Sequence, residues 1–579
     1  MKPTTPNFEP RRDSQANSMP ALERTAWTVR RPVLAGSICV AATILSLAPF
    51  LTKAFSMDDG GFIEVARQIR VHPADPFGFR HNWTGREVAA VKEFQNGPLT
   101  SYYIALAATC LGWSERALHL AFLLPAAAAI LGTYFLALRF CGEPLFAALV
   151  TLFCPVFLVS GTTVMADVIT LAFFVWAMVL WLRSAEDGSH CFAILSACLI
   201  GAASVTRYFP SLTLVPLLFV YSLLRWRDIG WRTLYLAIPL AVFVTYEWVM
   251  QSLYGCSLLF LAASTASTMG REGSWFLWRG LTTLCFAGGA LAPMVFYAPL
   301  LWSRRCLAAG LLAAAIFAGL LAFCGSLGEH PLPGDIRLRL LLASQFSTFV
   351  VAGVSVLILV AGDLWRSRDA ESVLLALWTL GTLAFCWIFN WSVNGRTILP
   401  IAPAVGILIF RRIQQRAGYS PGRHWLAKVV PLLLAGGLAM AVSWADCRFA
   451  NSTRTAATVI LGRYGAEKAR VWFIVGWGFY HYMQSYGFKV YETSHPRIGP
   501  RDILVVPLNS PGVPDSITAW RSRCTAFDVV SSRIVTTMYP ALGAGFYTSQ
   551  WGPLPFAFGP VPHERYFIVS GAVFNESLR

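Results

Sequence analysis

The chain has 579 residues, of which 56% are hydrophobic and 13% charged, where soluble domains carry about 25% charged residues. With a mean hydropathy of +0.56, this balance excludes a soluble globular enzyme and marks an integral membrane protein. The formal net charge of +16 is no nucleic-acid footprint, because the basic residues cluster in short segments between apolar runs, where they act as orientation signals.

Residues 1–31 are polar, contain Pro, Ser and Arg, and read as a flexible cytoplasmic tail. The apolar run 32–51 is about 20 residues, enough to cross a bilayer. Its leader is long for a signal peptide and no small-x-small site follows, so it reads as a retained helix. FSMDDGGFIEVARQIR (55–70) comes next, with two adjacent carboxylates, Asp58 and Asp59, at what should be a membrane surface.

Further apolar runs fall at 98–112, 117–139, 144–161, 166–183, 190–206, 209–224, 233–250, 281–302, 306–323, 341–361, 371–390, 397–411 and 429–447, making fourteen in all. Loop charges decide how many cross. If 98–112 does not, the loops holding Arg139, Arg183, Arg225/Arg227/Arg232, Arg304/Arg305, Arg366/Arg368 and Arg411/Arg412/Arg416/Arg423/Lys428 share a side with the Arg-rich tail. If it does, all of them face away from that tail. PLTSYYIALAATCLG (98–112) is also short, with Tyr102 and Tyr103 at its start, which suits an interfacial helix.

The expected fold is therefore an all-α polytopic membrane protein of about thirteen transmembrane helices, with juxtamembrane helices in an outer loop over 52–116. Its transmembrane domain covers 32–447. Residues 448–579 change character, with short β-rich runs VWFIVG (471–476), KVYET (489–493), ILVVPL (503–508) and FDVVSSRIVTT (527–537). GFYHYMQSYG lies between the first two with a helical aromatic face, so a small C-terminal α/β domain is expected on the outer, extracytoplasmic side. WGFYHYMQ is read as packing for that domain.

The 13 cysteines sit mostly inside apolar runs with no metal-ligand spacing and read as packing residues. Cys447 and Cys524, both toward the polar end, are the one pair considered for a bridge.

This topology gathers polar residues at outer helix ends: Asp58, Asp59 and Glu64, Asp167, Arg207 in TRYFP, Glu247, and Arg396 in NGRTILP. Charge near a membrane core is costly and usually pairs or lines a cavity. Each has a plainer reading beside the functional one. Asp58, Asp59 and Asp167 fit helix N-caps, and Arg207 and Arg396 fit snorkelling headgroup anchors. The first outer loop adds His81, Arg86, Lys92, Glu93 and Asn96 as candidate substrate-binding groups.

Five stretches taken together resemble a known family: DDGGFIEVARQI, NGPLTSYYIALAATCLGWSERALHLAFLLPAAAAILGTYFLALRFCG, VMADVITLAFFVWAMVLWLRS, TRYFPSLTLVPLLFVYSLLRWR and NGRTILPIAPAVG. Over about residues 33 to 411 the chain resembles the lipid-linked-sugar glycosyltransferases of the GT-C fold, in the protein mannosyltransferase and aminoarabinose transferase group. The resemblance implies that Asp58 is the acid of the first outer loop, placed to orient or deprotonate an acceptor hydroxyl, with Asp59 where relatives often have Glu. It implies that Asp167 is a second catalytic acid and that Arg207, where relatives often carry Lys, binds the donor phosphate. Arg396 matches the Arg of an Arg-Tyr-x-x-Pro string in which Thr397 replaces the aromatic, and Asn96-Gly97-Pro98 departs from the charged string of relatives.

The implied partners are a polyprenyl-phosphate sugar donor, a lipid, glycan or protein acceptor and membrane lipids, with no nucleic acid. No cofactor is assigned, and a divalent cation on the outer acids is left open. The expected location is a bacterial plasma membrane with the N-terminus cytoplasmic. A transporter or lipid flippase is the alternative, although the halves show no inverted repeat. A non-catalytic assembly subunit is a third reading.

Overall fold

The structure, a computed structural model, describes residues 21–83, 85–225, 230–268, 274–416, 425–492, 498–510 and 523–576. Residues 1–20 of the expected tail, Arg227 and Arg423 lie outside these. Residues 21–31 differ from the expected tail: ALERTAWTVRR is rich in helix formers, and the first helix runs Ala21–Leu47 with Pro32 inside it.

Among the described residues nine helices are long and apolar enough to cross a membrane, and two bent pairs raise this to eleven. The pairs are Pro144–Leu152 with Pro155–Gly161, at 63°, and Phe276–Ala290 with Pro293–Leu301, at 83°. In each pair the second helix begins on a proline, which cannot donate to the preceding turn and so marks the break. The expected runs 190–206 and 209–224 form His190–Ser204 and Leu214–Leu224, short of a full span by length alone. The latter starts late because Phe209, before Pro210, is extended at φ −104° and ψ 131°. A helix thus stands at each of the thirteen places, two of them shorter than a bilayer requires.

The run 98–112 forms Leu99–Leu111, 13 residues ending at Gly112 with φ +93°, or about 20 Å of helix. It packs along the helix Asp59–Val71, and the Ser101 hydroxyl donates to the Phe62 carbonyl at 3.0 Å. Glu115–Phe140 then starts on a Ser114 cap, whose oxygen accepts the Ala117 N–H at 3.2 Å.

The last helix, Trp425–Tyr464, is 40 residues long and carries on past the expected boundary at 447, so residues 448–464 prolong it. Beyond it lies a mixed five-stranded sheet: β1 (Val471–Phe473), β2 (Lys489–Val490), β3 (Ile503–Pro507), β4 (Thr525–Val529) and β5 (Glu564–Ser570), in spatial order 2-1-3-5-4. β1 pairs β2 and β3 in parallel, while β5 runs antiparallel to β3 and β4. The helix Trp477–Ser485 makes the β1–β2 crossover expected from its aromatic face. That helix also packs against Asp59–Val71, so it joins two parts of the protein as well as filling one. The question left open for Cys447 and Cys524 is answered by their places: Cys447 is buried in the long helix and Cys524 lies at the sheet, with no disulfide between them.

Candidate active site

The stretch FSMDD turns sharply, with Met57 at φ +50°, a conformation uncommon for a residue with a side chain. The turn sends the two acids in different directions. Asp58 occupies the N-cap position of Asp59–Val71 but makes no capping hydrogen bond; its Oδ2 instead accepts from Arg396 Nη1 at 2.6 Å. Asp59 is fully buried. Its Oδ2 accepts the Ser56 N–H at 2.8 Å and its Oδ1 the Val164 N–H at 2.7 Å. Asp59 is thus an anchor tying the outer loop to the turn before Asp167. Burial pushes its carboxyl up to about 7, opposed by the Lys53 ammonium and by the two backbone N–H donors.

Arg396 is held by a tight turn. The Asn394 side chain accepts the Thr397 N–H at 2.9 Å, and the Gly395 N–H donates to the Phe546 carbonyl at 2.7 Å. A Cβ on Gly395 would come within 2.8 Å of the Phe546 ring, so the turn needs glycine there. The Arg396 guanidinium lies 5.7 Å from the centre of the Tyr547 ring and 3.3 Å from the Met165 sulfur.

Asp167 sits in the first turn of Ala166–Asp187 and forms an ion pair with Arg207, which follows the helix His190–Ser204. Asp167, Arg207 and Arg396 line one narrow cavity with Phe174, Leu399 and Pro400. Among the described residues, Asp167 Oδ2 and Arg396 Nε are buried without a hydrogen-bond partner in that cavity. Unpaired buried polar atoms are costly, and both belong to residues that line this cavity. Of the seven acids and arginines gathered at the outer helix ends from the sequence, four form two ion pairs set side by side, Asp58–Arg396 and Asp167–Arg207. The snorkelling and capping readings do not account for this arrangement.

The loop candidates fare differently. His81 is buried, with its Nδ1 2.7 Å from Glu64, and its ring packs among Trp83, Phe94 and Tyr480. Arg86 and Lys92 are exposed, while Glu93 and Asn96 are half-buried. None of the five lines the cavity. The Asn96-Gly97-Pro98 string does bear on it: a Cβ on Gly97 would fall on the Val205 carbonyl, so this glycine lets the first loop close onto the turn carrying Arg207. Tyr208 reinforces the contact by donating to the Gln95 carbonyl at 2.6 Å.

No three His, Cys, Asp or Glu side chains gather as a cation site among the described residues. Asp58 and Asp167 each face an arginine, a donor set that does not fit a divalent cation. A roomier recess of about 390 Å³ beside Arg139, Asp369 and Arg411 lies at the other end of Glu115–Phe140. Its arginines pair within the chain, Arg139 with Glu186 and Arg411 with Asp363.

Sequence reasoning missed Lys53, Asp446 and Tyr547, which stand directly behind Arg396. The Tyr547 hydroxyl donates to Asp446 Oδ2 at 3.0 Å, and Lys53 Nζ lies 2.6 Å from the same oxygen.

Residues 95–251, which contain Asp167, Arg207 and the Gly97 contact, match the family model described as Dolichyl-phosphate-mannose-protein mannosyltransferase. The likeness to this family is confined to that stretch of the chain. No curated protein matches it by sequence. Among solved structures it is similar to ArnT from Cupriavidus metallidurans bound to undecaprenyl phosphate, with 14% identity, 94% of this chain and 98% of that one covered, and a TM-score of 0.43. It is also similar to the Archaeoglobus fulgidus oligosaccharyltransferase in the apo form, with 14% identity, 82% and 66% covered, and a TM-score of 0.45. At these scores both are likenesses only.

Proposed function

We propose that the protein is a membrane glycosyltransferase that moves a sugar from a polyprenyl-phosphate-linked donor to an acceptor hydroxyl of a lipid, glycan or protein, on the outer face of a bacterial plasma membrane. The observation that carries the reading is the side-by-side placement of Asp58–Arg396 and Asp167–Arg207 around one cavity whose buried polar atoms lack partners.

The chemistry follows from the groups present. Asp58 is the more accessible carboxylate, 39% exposed, and acts as base. It takes the acceptor proton as the oxygen attacks the anomeric carbon. The bond from that carbon to the phosphate oxygen breaks, and its electron pair leaves on the phosphate. Arg207 and Arg396 stabilise the charge that grows there through their planar, forked N–H donors. Asp167 holds Arg207 and offers its free Oδ2 to a hydroxyl of the bound sugar. The positive-inside distribution supports an N-terminus in the cytoplasm, with the sheet of β1–β5 as an extracytoplasmic domain beside the site.

The test is transfer by the purified protein. A labelled polyprenyl-phosphate sugar supplied with extracted envelope lipids, glycans and proteins is expected to yield label on an acceptor and free polyprenyl phosphate. Movement of intact donor across a vesicle bilayer, with no bond broken under any acceptor, would overturn the reading in favour of transport.

A further inference from the structure

Behind the site lies a second, fully buried polar cluster assembled from three distant parts of the chain. Lys53 follows the first helix, Asp446 lies on the last one, and Thr537 and Tyr547 belong to the C-terminal region. Lys53 Nζ donates to Asp446 Oδ2 at 2.6 Å and to the Thr162 hydroxyl at 3.0 Å. Asp446 Oδ1 accepts from Thr537 Oγ1 at 2.8 Å, and its Oδ2 accepts the Tyr547 hydroxyl at 3.0 Å. Lys53 and Asp446 are 0% and 1% exposed, so neither reaches substrate.

A pair this deep costs desolvation and needs its remaining polar valences filled. Its hydrogen bonds do that, and they also fix the tilt of the Tyr547 ring, the member of the cluster that lies against Arg396. The ring lies under the Arg396 guanidinium at 5.7 Å. Its chain neighbour Phe546 takes the Gly395 N–H on its carbonyl and closes on Gly395 with its ring. The Ser549 N–H adds a 2.8 Å bond to the Val393 carbonyl, and the Ser549 hydroxyl accepts the Val393 N–H at 3.1 Å. The segment 546–549 therefore grips the backbone that leads into Arg396, at Val393 and Gly395, as well as the Arg396 side chain.

We propose that Tyr547 is a positioning residue for Arg396: anchored through its hydroxyl to the buried Asp446–Lys53 pair, it holds the guanidinium toward Asp58 and the cavity, so that the C-terminal region completes the phosphate-binding site. This deepens the glycosyltransferase reading and rests on it. Face-on contact of a guanidinium with an aromatic ring, partly desolvated, is worth a factor of about 3 to 30 in an equilibrium. That is the size of effect Tyr547 should have on anion binding without touching the anion.

The experiment is a double-mutant cycle on the full-length protein in nanodiscs, with unglycosylated polyprenyl phosphate as the probe and Kd as the readout. Tyr547→Leu, which removes the ring, should weaken binding about 10-fold. Tyr547→Phe, which keeps the ring and cuts only the tether to Asp446, should weaken it about 3-fold. In an Arg396→Met background both changes should have no further effect, because Tyr547 acts through Arg396. If Tyr547→Leu does not purify folded, the Tyr547→Phe arm of the cycle decides. Losses that persist in the Arg396→Met background, or Tyr547 variants that bind like the parent, overturn the positioning role and leave the glycosyltransferase reading in place. A parent protein that does not bind the probe overturns both, so the two failures are distinguishable.

Discussion

Arg396 and Asp58 stand 338 residues apart in sequence and 2.6 Å apart in space. The contact joins the turn before the twelfth expected span to the turn after the first, and it sets a guanidinium beside the carboxylate proposed as the base. Next to it, Asp167 and Arg207 repeat the pairing with less solvent.

That second pair has an asymmetric energy. Asp167 is almost entirely buried, so Arg207→Met leaves a lone carboxylate in the protein and should cost ~3–5 kcal/mol of stability. Asp167→Asn should cost less, because an amide tolerates burial better than an unpaired charge. Thermal unfolding in detergent should rank Arg207→Met well below Asp167→Asn, with the double variant closer to the parent than Arg207→Met is.

Lys53 should behave in the same way, further from the chemistry. Lys53→Met leaves the buried Asp446 carboxylate with two hydroxyl donors but no cation, with an expected loss of ~3–5 kcal/mol. Lys53→Met with Asp446→Leu should recover much of it. Limited proteolysis would read the consequence locally, since the C-terminal region docks on this pair through Thr537 and Tyr547.

The joint between the C-terminal domain and the outer loop should weaken in acid. His481, on Trp477–Ser485, packs edge-on against Phe55 at 5.3 Å. Burial, reinforced by Arg67 and partly opposed by Glu115, lowers its imidazole to about 4. A depressed histidine is neutral in the folded state, so the unfolded state binds the extra proton first, and stability is lost as pH falls from about 6.5 toward 4. At 1.36 kcal/mol per pKa unit this is up to ~3 kcal/mol. Asp59 and Glu564, raised to about 7 and about 8 by burial, act in the opposite sense, losing stability as pH rises. The isolating measurement is therefore the difference in Tm between the parent and His481→Asn across pH 7 to 4, which should widen against the parent as the pH falls.

Much of the site was legible in the sequence because a charge at the end of an apolar run has few inexpensive places to go. Asp58, Asp167, Arg207 and Arg396 each stood out on that ground, and the basic loops placed them at one end of the helices. Asp59 was not separable from Asp58, since adjacent residues entering a helix point in different directions and only the Met57 turn decides which acid faces Arg396. Lys53, Asp446 and Tyr547 were not legible at all. Lys53 and Asp446 are 393 positions apart, and each taken singly resembles an interfacial lysine or a polar residue on a helix. β5 was missed although Gly559, Pro560 and Pro562 precede it and Gly571 follows, because the two charges that open ERYFIVS break up its apolar run. The length of Trp425–Tyr464 was missed because its outer half is polar, stabilised by packing under the C-terminal domain rather than by apolar lipid contact.

The central claim is that Asp58 removes the acceptor proton while Arg396 and Arg207 hold the phosphate. Single-turnover transfer from a labelled polyprenyl-phosphate sugar by Asp58→Asn, with donor Kd measured on the same preparation, tests it most directly. The account predicts transfer slowed by about 10²–10⁴-fold with the donor still bound and the protein still folded. Transfer at the parent rate in that variant would contradict it.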